Sequence, residues 1–317
     1  MYDAIIIGGG PAGLAAAQAL GRSLRSTLVL DSAEPRNAAA AHMHNFITRD
    51  GTPPAEFRRI AREELGRYGT VEIRDVAALD VASQENGEFA VTLPEGEVVR
   101  GRRLLLATGV IDEQPPIEGI AELSGRGVYY CPFCHGYEVR DTPLAVLGSS
   151  PQAIQLALQL RHLSDDVVLC TNGPSDLDAA AQEKLEANGV PVREEPVTRL
   201  DQRDGQLERI VFASGEPLAR HAVFSTLSPM RQRSGLPRQL GCRILDDDSV
   251  AVDQLGQTSV PGVFAAGDMA RRPDSGRMPA VIAAAGNGTV AGAAIVHHLV
   301  SEDAERAVRE RSAARPA

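Results

Sequence analysis

The stretch Asp3–Arg22, DAIIIGGGPAGLAAAQALGR, decides the fold. Its apolar run Asp3–Ile7 predicts a buried strand, and its run of small and aliphatic residues from Leu14 predicts a helix packed against a sheet. Between them lies the turn Gly8-Gly9-Gly10-Pro11-Ala12-Gly13. Strand, glycine turn and helix in that order make a dinucleotide site: Gly8 permits the tight turn, Gly10 lets backbone N–H groups approach a pyrophosphate, and Gly13 lets helix and strand pack closely. Pro11 and Ala12 complete the turn, and the helix N-terminus favours the phosphate charge. A second strand, STLVLD, ends in Asp31, where a carboxylate can accept hydrogen bonds from a ribose.

Two distant segments extend this pattern. RRLLLATGV (102–110) is an apolar strand leading into Ala107-Thr108-Gly109, and VPGVFAAGDMA (260–270) leads into Gly267-Asp268. Together with the glycine turn, these elements resemble the two-dinucleotide-fold flavoprotein disulfide reductases. The resemblance implies an α/β fold with two Rossmann-like domains and FAD as cofactor. Thr108 and Gly109 close the first half of the FAD domain, and Gly267 and Asp268 lie on the ribityl–phosphate chain. The small-residue helix that follows would begin near the flavin at Ala280. The expected FAD domain is discontinuous, residues 1–111 and 243–317, with a central nicotinamide-type domain at 112–242. The charged tail beyond about residue 301 is expected to fray.

The central segment PLAVLGSSPQAIQLALQLRHL (143–163) repeats the strand–turn–helix pattern. Its turn is degenerate, because Ser150 stands where a second glycine would admit the pyrophosphate. The next strand is followed by Thr171-Asn172-Gly173-Pro174-Ser175-Asp176, whereas NADPH-using thioredoxin reductases carry a basic cluster there for the 2′-phosphate. Hydrogen bonds to charged groups contribute roughly 1.5–3 kcal/mol each, so loss of two or three would cost orders of magnitude in affinity. The expectation is a nicotinamide-type domain that does not use NADPH physiologically, with Arg161 and His162 facing solvent.

Just before this repeat stands CPFCHGYE (131–138). The motif C-x-x-C-H fits a redox dithiol, half of a zinc site and a c-type haem attachment sequence. Zinc needs two further ligands, yet Cys170 and Cys242 stand alone and read as small buried residues. Haem attachment would require export, and a purely structural pair fits poorly with flanking Pro132 and His135. The redox reading is preferred. The segment CPFCHGYEVRD is similar to that of low-molecular-weight thioredoxin reductase-like enzymes, in particular the gliotoxin- and holomycin-type dithiol oxidases. That resemblance implies Cys134 as the thiol facing the flavin, Cys131 as the thiol that exchanges with substrate, and His135 as the group that takes a substrate thiol's proton. It also makes Glu138 a candidate for orienting the imidazole. The resemblance also implies that the segment AHMHNFITRDG (41–51), with His42, His44 and Asn45, lies near flavin and substrate, although it also reads as a polar loop; the i, i+2 spacing of its histidines does not make a helical metal site. No metal is expected.

Composition bounds the remaining options. A chain of 317 residues accommodates two domains. A net charge of −10 and a pI near 5.3 argue against nucleic-acid binding. With no basic leader and no long apolar run, the expectation is a cytoplasmic protein without a membrane partner. Four cysteines in a reducing compartment favour a reactive rather than a structural pair. The combined expectation is an FAD-dependent dithiol oxidase that closes a disulfide in a small natural-product dithiol, passing electrons to O2 with H2O2 as product. The resemblance adds a homodimer. One alternative is a thioredoxin reductase-like enzyme reducing a protein disulfide with NAD(P)H or ferredoxin as donor, and another is a flavin-binding redox sensor without turnover.

Overall fold

The computed structural model describes residues 1–313. It divides into two compact units, one formed by Met1–Arg36, Ala55–Ile111 and the chain from Met230 onward, the other by Asn37–Pro54 and Asp112–Pro229.

The first unit is built on a sheet whose centre is parallel. Strand Tyr2–Ile7 lies between Thr27–Leu30 and Val98–Leu106, Val71–Arg74 flanks the second strand, and the late strand Val263–Ala265 pairs with Val98–Leu106. Two antiparallel strands, Phe89–Thr92 and Asp80–Ser83, extend the other edge. The parallel strands are buried on both faces, which explains why Ala4–Ile7 and Leu104–Leu106 are continuously apolar rather than alternating. One face is covered by the helix Pro11–Arg22 and the C-terminal helix Val281–Ala313. Small residues let these helices meet: a Cβ on Gly288 would lie 2.0 Å from the Ala12 carbonyl oxygen, and one on Gly292 would lie 2.8 Å from that of Ala16.

The tail expected to fray beyond 301 remains helical to Ala313; its last residues, 314–317, lie outside the described residues. Ion pairs hold it. Arg102, almost fully buried, reaches Asp3 at 2.9 Å and Asp303 at 2.7 Å, Arg103 reaches Glu302 at 2.7 Å, and Arg25 reaches Asp303 at 2.7 Å. Residues 230–242, expected with the central domain, belong to the first unit. Met230–Gln232 pairs with Val110–Asp112, and Leu236 and Cys242 enter the same core as Leu104, Leu106 and Val263.

The second unit carries a parallel sheet in the order Val192–Arg193, Val167–Cys170, Leu144–Leu147, Ala222–Ser225, Val128–Tyr129. Helix Pro151–Leu160 packs on it through Ala153, Leu156, Ala157 and Leu160, and a three-stranded antiparallel sheet (Val197–Arg203, Gln206–Phe212, Leu218–Ala219) packs on the other side through Leu200, Leu207 and Ile210. Segment 37–54 joins this unit, with Met43 bridged to Thr52 and Ala39 against Gly125.

Among the described residues, no helix is long and apolar enough to cross a membrane.

Candidate functional site

In the first unit, motifs far apart in the sequence converge on the N-terminus of the first helix. Gly8 has φ +117°, and a Cβ there would lie 2.1 Å from the Ala107 carbonyl oxygen, next to Thr108. A Cβ on Gly13 would lie 1.9 Å from the oxygen of Gly8, so this glycine sets the closeness of helix and strand. Gly10 differs from both: nothing lies within 4 Å of where its Cβ would be. It is the N-cap of the helix, and having no side chain it leaves the first-turn amides without a side-chain cap. Pro11 occupies the first helical position, where its missing N–H costs nothing.

Gly267, at φ +81°, comes against Ala12, so that the two ends of the chain meet at this turn. Gly109 also has positive φ, and the Thr108 hydroxyl lies 3.3 Å from the Met269 sulfur. Asp31 accepts from the Ala33 amide and from Arg62 Nη2 at 3.2 Å. Its carboxylate fills the space beside Gly9, a glycine requirement that the motif spacing alone did not reveal. Asp268 accepts from Arg36 Nη1 at 3.0 Å, and the Ala280 carbonyl begins the C-terminal helix by accepting from Ala284 N.

A cavity of about 320 Å³ adjoins Gly267 and Asp268 and is lined also by Arg277, Met278, Pro279 and Asn287. Arg277 is a site candidate that sequence reading missed, since nothing in its neighbourhood marks it. Its buried guanidinium donates from Nε to Ser249 and from Nη1 to the Met230 carbonyl, while Nη2 has no partner. Burial pushes its proton affinity down. An open glycine cradle, an uncapped helix start and an unmatched buried donor together fit the phosphates and polar groups of a dinucleotide cofactor.

The corresponding turn of the second unit is built differently. Gly148 has φ +139°, and a Cβ there would meet the Thr226 hydroxyl at 2.1 Å. Ser150 is the N-cap of its helix, and its hydroxyl accepts from the Ala153 amide at 3.3 Å. A donor of the kind a pyrophosphate would use is therefore already engaged. In the loop that would carry a 2′-phosphate clamp, Ser175 donates to Glu194 and Asn172 accepts from Val197 N, so this loop holds an acidic residue. Arg161 binds the carbonyls of Asn188 and Ser164, a role in closing the helix end rather than in gripping phosphate.

Cys131 and Cys134 are joined in a disulfide with Cα atoms 5.3 Å apart. Cys131 caps the one-turn helix Pro132–His135, where proline at the first helical position again suits the geometry. Both cysteines are half-buried, whereas Phe133 and Tyr137 are exposed beside them. The His135 ring stacks on Tyr129 at 4.5 Å with an interplanar angle of 16°. Burial lowers its proton affinity, the nearby Glu138 carboxylate raises it, and His44 lowers it. The expected contact of Glu138 is redirected: its Oε1 lies 3.6 Å from His44 Nδ1, and it acts on His135 through charge. Residues 37–54 thus supply a neighbour to the dithiol turn that no local motif signalled. Asn45, expected at the cofactor, lies in this second unit at φ +61°, its amide donating to Asp50. Cys170 and Cys242 are buried, as expected; burial pushes the Cys170 thiol up to about 12 and also raises that of Cys242.

Comparison with known proteins matches residues 2–288 to the pyridine nucleotide-disulphide oxidoreductase family model. The chain is 34% identical over 316 residues to thioredoxin reductase aclD of Aspergillus oryzae, covering 96% of this chain and 98% of the relative. It is 33% identical over 298 residues to a probable thioredoxin reductase of Arthroderma benhamiae, covering 84% and 74%. Among solved structures, HlmI is similar at 40% identity and a TM-score of 0.90, covering 98% of this chain and 96% of that one. An oxidoreductase from Agrobacterium tumefaciens is similar at 34% identity and a TM-score of 0.87, covering 94% and 98%.

Proposed function

The chain belongs to the pyridine nucleotide-disulphide oxidoreductase family, and from that premise we propose that it is an FAD-dependent dithiol oxidase that closes a disulfide within a small natural-product dithiol. The observation that carries this reading is a Cys131–Cys134 disulfide with His135 alongside, in a unit whose own nucleotide-type turn has its helix start capped by the Ser150 hydroxyl. Such a unit keeps thiol–disulfide exchange while losing the features that would supply electrons from NADPH. The likeness to HlmI and the match of CPFCHGYE to the dithiol oxidases support the same direction.

The first unit would hold FAD through Gly8, Gly10, Pro11, Ala12 and Gly13 at the pyrophosphate, Asp31 at the ribose, and Thr108, Gly109, Gly267, Asp268 and Ala280 around the remainder. When bound there, FAD would supply a two-electron acceptor for the dithiol, with O2 as the final acceptor and H2O2 as product. His135, whose proton affinity burial lowers, takes the proton of the entering thiol, because the thiolate is the nucleophile in disulfide exchange. Cys131 forms the mixed disulfide with substrate, and Cys134 leaves as the thiol that passes electrons onward.

The relatives named thioredoxin reductase favour a second reading, reduction of a protein disulfide with NAD(P)H or ferredoxin as donor. Mixing the flavin-loaded protein under nitrogen with NADPH, NADH or dithiothreitol separates the two. The oxidase reading expects the dithiol to bleach the flavin and air to restore it with peroxide release. Fast bleaching by NADPH with none by the dithiol would overturn it. Bleaching by the dithiol without sustained oxygen uptake would instead indicate a sensor.

A further inference from the structure

A line of ionisable groups drawn from separate parts of the second unit leads to the dithiol turn. His44 Nδ1 lies 3.4 Å from Asp50 Oδ2 and 3.6 Å from Glu138 Oε1. The loop that carries Asp50 and His44 is closed by the pairing of Met43 with Thr52 and by the Asn45 amide, which donates to Asp50 Oδ1 at 2.8 Å. These contacts keep Asp50 ionised, the Asn45 amide first and His44 second drawing its carboxyl below the usual range. His44 is mostly buried, so its position is set by the loop rather than by solvent.

One ring nitrogen therefore faces two carboxylates, and it carries a single N–H. Committed to Asp50, that N–H leaves Glu138 to act on His135, three residues earlier in the same turn. Committed to Glu138, it neutralises the charge that favours a protonated His135. Tyr129 from the strand beneath stacks on His135, and the charged groups that act on it are Glu138 from its own turn and His44 from the loop, with the disulfide adjoining in sequence. Tyr129 is a neutral surface, its phenol pushed up by burial and by Glu138. The only charges in the group are those of the carboxylates and the imidazoles.

We infer that Glu138 and His44 are positioning residues for His135, the carboxylate and the imidazole that competes for it acting on the ring in opposite senses, with Asp50 anchoring His44. The inference rests on the reading of His135 as the proton acceptor in exchange. In that step a substrate thiol gives its proton to His135, its sulfur bonds to Cys131, and the Cys131–Cys134 bond breaks. Cys134 leaves as a thiolate and takes up that proton. The second substrate thiol then attacks the mixed disulfide and gives its proton to Cys131. The substrate loses two electrons and two protons, and the enzyme pair gains both. An acceptor with too low an affinity cannot hold the first proton, and one with too high an affinity is already protonated, so a device that adjusts it from both sides governs the rate.

The test is a titration of His135 in the full-length oxidised protein by NMR with isotope-labelled histidine, the resonance assigned by its loss in His135→Gln. Glu138→Gln should move the midpoint down and His44→Gln should move it up, each by about half a pH unit or more, equivalent to about a threefold change in the protonated-to-neutral ratio. Glu138→Asp should restore the wild-type midpoint, and His44→Asn serves if His44→Gln does not fold. Midpoints that stay in place, or that move in the same direction in both variants, would overturn the inference. The acidic limb of anaerobic flavin reduction by dithiothreitol is measured alongside. If the NMR midpoints move as expected and this limb does not follow them, the positioning role stands and the assignment of His135 as acceptor falls.

Discussion

Replacing Gly10 and Gly13 by alanine, one at a time, separates cofactor binding from folding, because the same added methyl group meets opposite surroundings. Gly10 has φ −79° and ψ −177°, a conformation alanine adopts freely, and its Cβ would have nothing within 4 Å. Gly10→Ala should therefore fold with a stability within about 1 kcal/mol of wild type, the cost being the weaker N-cap preference of alanine. The methyl group would project into the space where the backbone must approach a pyrophosphate. Loss of one charge-assisted hydrogen bond costs about 1.5–3 kcal/mol, so FAD affinity should fall by about ten- to a hundredfold. At Gly13 the methyl group would begin 1.9 Å from a backbone oxygen, and reaching ordinary contact at 3.4 Å requires a shift of about 1.5 Å between helix and strand. Overpacking of this kind costs roughly 1–3 kcal/mol, or a drop in Tm of about 2–12 °C. The assays are thermal unfolding of the flavin-free proteins and flavin retained per chain after gel filtration, followed by titration with FAD. Unchanged FAD affinity in Gly10→Ala, or an unchanged Tm in Gly13→Ala, would refute the reasoning.

Single replacement of Cys131 or Cys134 by serine should abolish dithiothreitol-driven flavin reduction while leaving the flavin spectrum of the oxidised protein intact, which stopped-flow absorbance checks directly. Ser150→Gly should not create NADPH-driven reduction, since Glu194 still occupies the 2′-phosphate loop; a new NADPH rate within tenfold of the dithiol rate would contradict this account. The Asp303 carboxyl is held below its ordinary range, first by the hydrogen bond from Arg25 and then by Arg102. A carboxyl whose folded pKa is depressed contributes stability that is fully present above its unfolded value, about 3.9, and lost as the pH falls through the folded value. The wild-type Tm should thus fall more steeply than that of Asp303→Asn as the pH drops below about 4, and parallel curves would show that the pair contributes nothing there.

The elements legible in the sequence were those whose signal is local. The Asp3–Arg22 unit announces itself because strand, glycines and helix are contiguous, and the Cys131–Cys134 pair because its spacing is short. What could not be read were partnerships across long separations. Nothing near Glu138 says that its carboxylate meets His44, because that contact depends on residues 37–54 joining the second unit. The order of the helical tail is hidden from the sequence for a related reason. Its charges looked solvated when taken alone, whereas Glu302 and Asp303 meet Arg102, Arg103 and Arg25 from strands and loops more than 190 residues earlier. Burial alone would raise the Glu302 carboxyl, yet Arg103 and Arg102 outweigh it. Arg277 shows the limit from the other side, since its buried and partly unmatched guanidinium has no counterpart in any spacing rule.

The chain passes between the two units four times, after Arg36, Pro54, Ile111 and Pro229. During synthesis, every residue of the second unit has emerged once Pro229 clears the ribosome, including the early loop that carries His44. The first unit must still wait for Val263–Ala265 to enter its sheet and for the final helix to cover Ala12 and Ala16. Vectorial synthesis therefore lets the half that bears the thiols mature before the half that would bind FAD. A stalled nascent chain ending shortly after residue 230 should already protect the sheet around Leu144–Leu147 from proteolysis while its N-terminal glycine turn remains open to cleavage.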